Sequence, residues 1–489
     1  MFKLAKNISI YTLGNILNRS ITFILVPLYT RVLVPADYGK LELVNSIGAI
    51  LAILYGLLIE TGYSRMFFKY KDPEWRKSLY FSGQVFNIFC CIIVGLFTFI
   101  YANEIANKIL NFPEGIIFLK LITIITLLKV LTHIPMYNIR NREKASLFIS
   151  INGAYLLLNT LLSIYFLVFR KLGVSGILYA QILSGIMELV ALYYFTWDQF
   201  SFRFSFEGLK KMLAFSIFLV PSNISSFILN YSNRYFLSAY MDLKEVGLYS
   251  LGAKLAAVIP FLFTEPVKMA FSPYIYNIID DPQKCKQQVA DFSRIFFVGL
   301  AIVATLISLF AKEAIAIIAS TNYSGSHSIV FFLSFSYLFM GLAGIIVNCI
   351  HISLKTWIVT LVWIFSAVIN IVLNVLLIPK YGRMGASIAT MISSLLIVIL
   401  YFVAVHFVYP VNFSYSKFIY LSILTVTINI IAQYVDRYFN YALIIKIFLF
   451  ISYIILIIVS NYFSKEEKHK AISLTKTWVR KHLIKKGSY

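Results

Sequence analysis

The chain has 489 residues, 60% of them hydrophobic and only 13% charged, with a mean hydropathy of +0.81. Soluble proteins carry about 25% charged residues, so a soluble enzyme or soluble binding module is excluded and an all-α polytopic membrane protein is expected. The net charge of +22 would suggest nucleic acid in a soluble protein, but here the cations fall between apolar runs, where anionic lipid headgroups and topology account for them; no nucleic-acid partner is expected.

A helix needs about 20 apolar residues to cross a bilayer, and the apolar runs predict 14 such helices. The first half holds 8–29, 43–61, 79–101, 115–135, 147–169 and 173–195. The second half holds 212–233, 246–267, 293–311, 327–350, 357–378 and 384–408. Two more follow, 417–434 and 442–463, and then a basic tail from Ser464 to Tyr489 suited to the anionic inner leaflet. The first run spans a membrane by length and lacks a small-residue cleavage site, so it is expected as a retained helix rather than a signal peptide. The longest loop is expected from Lys268 to Arg294, too short for a catalytic domain. No GxxxxGK[ST] phosphate loop occurs. Cys90, Cys91 and Cys349 lie in apolar runs and Cys285 in the predicted loop. With no CxxC pair, neither a disulfide framework nor a zinc site is indicated; no cofactor, metal or catalytic residue is expected.

The chain repeats itself. KLGVSGILYA at 171–180 returns as KYGRMGASIA at 380–389. Lys171/Lys380, Gly173/Gly382, Gly176/Gly385 and Ala180/Ala389 share an offset of 209, which Ser184/Ser393 continues. Gly39 in VPADYGKLELV is echoed by Gly247 in DLKEVGLYSL at an offset of 208. A duplicated six-helix unit follows. Six is even, so both copies enter the membrane in the same direction, as parallel repeats, and transporters built this way place substrate between the repeats. The expected units are an N-terminal lobe over 1–200, a C-terminal lobe over 201–410, two added helices over 411–463 and the tail over 464–489. Of the 43 Lys and Arg, 27 fall on the side of the termini and 12 on the other. Positive residues favour the cytoplasm, so both termini are expected there.

Ionisable residues inside a membrane are functional candidates by default. The cations are Arg19, Lys120, Lys129 and Lys254, with Arg234 closing its segment; the acids are Glu60, Glu188 and Glu265. Lys120 is expected to snorkel to the outer interface. Lys129 and His133, one helical turn apart, share a face. Polar residues concentrate in the corresponding first and seventh helices: Asn15 and Asn18 beside Arg19, and Ser222 to Asn233 with Asn230 among them. Asn370 and Asn374 pair by spacing in the eleventh. Such residues either bind helices together or line a cavity. Arg19, Lys129, Lys254, Arg234, Asn15, Asn18 and Asn230 are the substrate-cavity candidates. Glu60, Glu188, Glu265 and His133 are the candidates for ion coupling, with the ion open. Pro27, Pro221, Pro260 and Pro266 mark possible bends.

GNILNRSITFILVPLYTRVLVPADYGKLEL, EVGLYSLGAKLAAVIP and LIPKYGRMGASIATMIS, in that order, resemble the polysaccharide biosynthesis exporters, the O-antigen and capsule flippases of the multidrug/oligosaccharidyl-lipid/polysaccharide superfamily. The resemblance covers about residues 1–410 closely and the last two helices by count. It implies two six-helix lobes around a central cavity, as in multidrug and toxin extrusion (MATE) transporters, plus two helices. It also implies an undecaprenyl-pyrophosphate-linked oligosaccharide as substrate, carried across the bacterial cytoplasmic membrane by alternating access, with membrane lipids and a polysaccharide polymerase or other assembly proteins as partners. Deep cations suit a pyrophosphate, and Asn and Ser suit sugars. One position departs from the family: members often carry an acid just before the basic residue closing the seventh helix, and this chain has Asn233 before Arg234. The competing functions are a peptidoglycan-precursor flippase; a drug/cation antiporter of the same fold, which should show deep acids rather than bases; a membrane polymerase or ligase, which wants a sizeable outer loop; and a structural scaffold.

Overall fold

The computed structural model describes residues 25–438, 441–460 and 462–463. Arg19, Asn15, Asn18 and the basic tail lie outside the described residues. Residues 25–32 form the helix α1, followed by α2 (Pro35–Gly56), α3 (Ile59–Lys69), α4 (Pro73–Ile100), α5 (Gly115–Asn141), α6 (Ala145–Ile164), α7 (Gly173–Thr196) and α8 (Phe206–Ser216). Then come α9 (Val220–Tyr240), α10 (Leu243–Ala256), α11 (Glu265–Tyr276), α12 (Pro282–Leu309), α13 (Ala311–Ile318), α14 (Val330–Ile352), α15 (Trp357–Val408), α16 (Tyr415–Tyr438) and α17 (Ala442–Val459). Among the described residues, 12 helical stretches are long and apolar enough to cross a membrane.

Large apolar side chains face outward. Phe89, Ile92, Leu96 and Phe97 of α4 are each more than half exposed, a stripe that belongs in hydrocarbon. Inward-facing positions carry the polar groups, because lipid cannot satisfy them.

Several helices depart from the predicted boundaries, each for a local reason. α2 starts at Pro35, eight residues before the expected segment. Proline at the first helical position loses no hydrogen bond, and Asp37 favours the helix N-terminus. It ends at Leu57 and Leu58, both left-handed (φ 44° and 59°), so the expected segment 43–61 is two helices joined by a sharp break. The expected Lys268–Arg294 loop is mostly helical. α11 occupies its start, and α12 begins at Pro282, capped by the Asp281 carboxylate, which accepts the Lys284 N–H at 3.1 Å. Cys285 therefore lies buried in a helix rather than in a loop. Three of the four prolines flagged as bends sit at helix junctions. Pro221 follows a 3-10 turn, and Pro260 opens a π-helical turn that ends at Pro266 and α11. Pro27 lies within α1.

α15 runs 52 residues, about 78 Å if straight, against a hydrocarbon thickness of about 30 Å. It is broken at Gly382, whose φ of 54° and ψ of −134° are not helical. Gly382 and its sequence partner Gly173 (φ 57°) are the positive-φ glycines among the described residues. Both copies of the repeated turn thus place a positive-φ glycine at the same repeat position. Their next helices share a contact as well: Ser184 Oγ meets Asn159 Oδ1 at 3.4 Å, and Ser393 Oγ accepts Asn370 Nδ2 at 3.2 Å.

The other repeated pair meets in space. A Cβ on Gly39 would lie 2.0 Å from the Leu243 carbonyl oxygen, and one on Gly247 would lie 1.9 Å from that of Pro35. Pro35 and Leu243 are themselves 208 apart, so the contact is reciprocal, as at a two-fold interface. Only glycine lets α2 and α10 approach this closely.

α16 and α17 pack on α12. Lys446 of α17 is fully buried: its Nζ lies 3.0 Å from Glu313 of α13 and 2.7 Å from Asp436 of α16.

Candidate functional site: a cationic cavity between the halves

α2, α5, α6 and α7 from the first half and α9, α10, α11, α14 and α15 from the second line a cavity of about 890 Å3. Its charged lining is Lys129, Arg234, Lys254 and Lys268 against Glu42 and Glu265. Four bases face two acids, so the cavity is positive. Asn45, Asn230 and Gln181 add amides, and Tyr155, Tyr231, Tyr249, Tyr337 and Trp363 add aromatic faces.

The cations gather around one carboxylate. Lys254 Nζ donates to Glu42 Oε1 at 2.6 Å, and Arg234 Nη2 lies 3.5 Å from Glu42 Oε2. Glu42 and Arg234 are buried. Lys254 also stands 5.0 Å over the Tyr38 ring, and Arg234 lies 5.2 Å over Tyr231, where ring faces attract cations. Arg234 Nη1 donates to the Asn230 carbonyl at 2.9 Å, whereas its buried Nε–H has no partner. The group holds two positive charges, one negative charge and one unsatisfied donor. Buried donors normally find an acceptor, so this wall is short of acceptors.

Arg234, Lys254, Lys129 and Asn230, singled out from the sequence, all line this one cavity. Glu265 and Lys268 line its floor as an i,i+3 pair at 3.0 Å. Lys268 therefore belongs to the cavity rather than to a loop. Glu188 and His133 sit in a side pocket of about 380 Å3 that shares Lys129, Tyr155 and Gln181 with the main cavity. Glu60 is buried behind it, 3.7 Å from His133 Nδ1, at the start of α3.

Asn370 and Asn374 do not face the cavity. Both are buried, and Asn374 Nδ2 donates to Asn233 Oδ1 at 2.7 Å and to Asn370 Oδ1 at 3.0 Å. Asn233 Nδ2 donates to the Tyr249 hydroxyl at 2.6 Å and to Thr390 Oγ1 at 2.7 Å. These amides bind α9, α10 and α15 together. Where the resemblance puts an acid in many family members, this chain's Asn233 takes part in a neutral network.

Glu42 was missed by sequence reasoning because the predicted segment began at Leu43. The signal was present: Val34-Pro35-Ala36-Asp37 is a helix start, and moving the boundary there places Glu42 two turns inside.

A helical bundle with many apolar helices and a polar cavity between its halves defines a multi-pass membrane transporter. The profile of the polysaccharide biosynthesis protein family matches residues 4–279, more than half of the chain, and the chain belongs to that family. The capsular polysaccharide biosynthesis protein CapF of Staphylococcus aureus is 22% identical over 414 residues, covering 82% of this chain and 98% of CapF. The succinoglycan biosynthesis transport protein ExoT of Rhizobium meliloti is 19% identical over 317 residues, 64% of this chain and 62% of ExoT. Among solved structures, the lipid II flippase MurJ in an inward closed conformation superposes with a TM-score of 0.73 at 13% identity, over 91% of this chain and 97% of MurJ. An inward-facing multidrug resistance MATE family transporter superposes at 0.65 with 14% identity, over 79% and 93%. The fold is therefore MurJ- and MATE-like; ExoT is named a transport protein, and the two structural neighbours are a flippase and a transporter.

Proposed function

We propose that the protein flips an undecaprenyl-pyrophosphate-linked oligosaccharide across the bacterial cytoplasmic membrane for surface polysaccharide synthesis, by alternating access between two lobes. The observation that carries this is the four-to-two excess of bases in the cavity, with Arg234 and Lys254 sharing a single carboxylate. A pyrophosphate supplies the missing acceptors through charge-assisted hydrogen bonds. Amide and aromatic walls suit sugars, and the prenyl tail stays in lipid. A cavity built for cationic drugs would carry the opposite excess.

The lobes are taken as 1–200 and 201–410, with 411–463 added and the termini cytoplasmic. Two findings support a duplication: the reciprocal Gly39–Leu243 and Gly247–Pro35 contacts, and the positive-φ glycines at the same repeat position, Gly173 and Gly382. Dividing α15 at Gly382 and adding the segment 8–29 brings the 12 helical stretches to 14. Arg19, with Asn15 and Asn18, is proposed to complete the cavity wall; Glu60, Glu188, Glu265 and His133 are proposed to serve coupling. A peptidoglycan-precursor flippase would use the same anion chemistry, and the MurJ-like fold is compatible with it. Loss of surface polymer with normal viability in a deletion strain separates the two.

The test is export of surface polysaccharide in cells carrying Arg19, Lys129 and Lys254 all changed to Ala, with membrane insertion verified. Export should stop. Normal export would remove the charge role.

A further inference from the structure

Glu42 is the odd member of the cationic wall. It comes from the first half of the chain, whereas Lys254 and Arg234 come from the second, and it is a buried acid in a cavity read as an anion site. Uncompensated, the two cations would repel one another; with Glu42 between them one positive charge and the Arg234 Nε–H remain unmet. One turn earlier on the same helix, Gly39 faces the Leu243 carbonyl of α10 so closely that a Cβ would lie 2.0 Å from its oxygen. The carboxylate therefore bridges the halves one turn from a close backbone contact between them.

We propose that Glu42 is a resident counter-ion that decides which anions the cavity accepts; this rests on the cavity being the headgroup site. A monoanion taking its place swaps one negative charge for another and leaves the wall as electron-poor as before. A headgroup with two or more charges satisfies both cations and the free guanidinium N–H at once, so it displaces Glu42. The displaced carboxylate no longer holds Lys254 and Arg234, and the ionic bridge between the halves opens. Recognition of a polyanionic headgroup and release of the halves thereby become one event. An uncharged or monoanionic lipid lacks the charge to trigger it.

The experiment measures binding of inorganic pyrophosphate, and of dimethyl phosphate as a strict monoanion, to the full-length protein in nanodiscs at fixed ionic strength. Glu42→Gln, Glu42→Asp, Lys254→Ala and Arg234→Ala are compared with wild type, and melting temperatures verify folding. Wild type should prefer pyrophosphate at least ten-fold. Glu42→Gln should bind both anions at least ten-fold more tightly, with dimethyl phosphate gaining more, so that the preference shrinks. Glu42→Asp should retain the wild-type preference. A folded Glu42→Gln protein with unchanged or weaker pyrophosphate binding overturns the counter-ion role. If Lys254→Ala and Arg234→Ala still lose binding in that case, the anion site itself stands. Absence of pyrophosphate binding in wild type and Glu42→Gln alike overturns both.

Discussion

Two ion clusters among the described residues are built to opposite rules. At the C-terminal helices Lys446 is fully enclosed and held by Glu313 and Asp436, with Lys312 3.9 Å from Asp436. Two bases meet two acids. In the central cavity two cations share one acid, a guanidinium N–H is unmet and the group faces open volume. Buried ion pairs are costly unless they are complete. Charge balance marks the first cluster as a fastener, and the unbalanced positive charge marks the second as a place for a ligand.

The largest effect should come from breaking the fastener. Lys446→Ala removes the fully buried cation from Glu313 and leaves Asp436 only its 3.9 Å contact with Lys312; it should cost ~3–5 kcal/mol of stability, measured as a lower unfolding midpoint. The molecules that remain folded should transport at near wild-type rates. Next, Gly39→Ala and Gly247→Ala each push a methyl group within about 2 Å of a facing carbonyl. Either should separate α2 from α10, abolish transport and lower the yield of disulfide cross-links engineered across that contact. Lys129→Ala should reduce transport less than Lys254→Ala, because Lys129 makes no ion pair with Glu42; the two rates in proteoliposomes test this. Smallest is Gly173→Ala. Nothing lies within 4 Å of the added methyl group, so only the left-handed backbone resists, at about 1 kcal/mol. A much larger loss would mean that the turn does more than reverse the chain.

The sequence told more of the frame than of the site. Apolar runs near 20 residues are forced by bilayer thickness, so most helices were legible with their order. The repeated glycines were legible too, because a left-handed turn and a backbone contact leave few other choices. Helix starts at the water surface were not: Pro35 and Pro282 open helices through polar stretches that hydropathy reads as loop. That error hid Glu42 and put Lys268 in the wrong class. Lys254, Arg234 and Lys129 stood out because charge in hydrocarbon is expensive. That Lys254 and Arg234 share one acid did not stand out, since the contact joins residues 192 and 212 positions apart. Asn370 and Asn374 had the spacing of a cavity wall and turned out to bind helices together, which spacing alone does not distinguish.

The central claim is that Arg234 and Lys254 hold the anionic headgroup during translocation. Its most direct test is the rate at which an undecaprenyl-pyrophosphate-linked oligosaccharide, loaded into the inner leaflet of proteoliposomes, becomes available to an external lectin. With folded Arg234→Met/Lys254→Met protein the rate should fall to that of protein-free liposomes, while wild type remains well above it. A double variant that translocates at the wild-type rate would contradict the account.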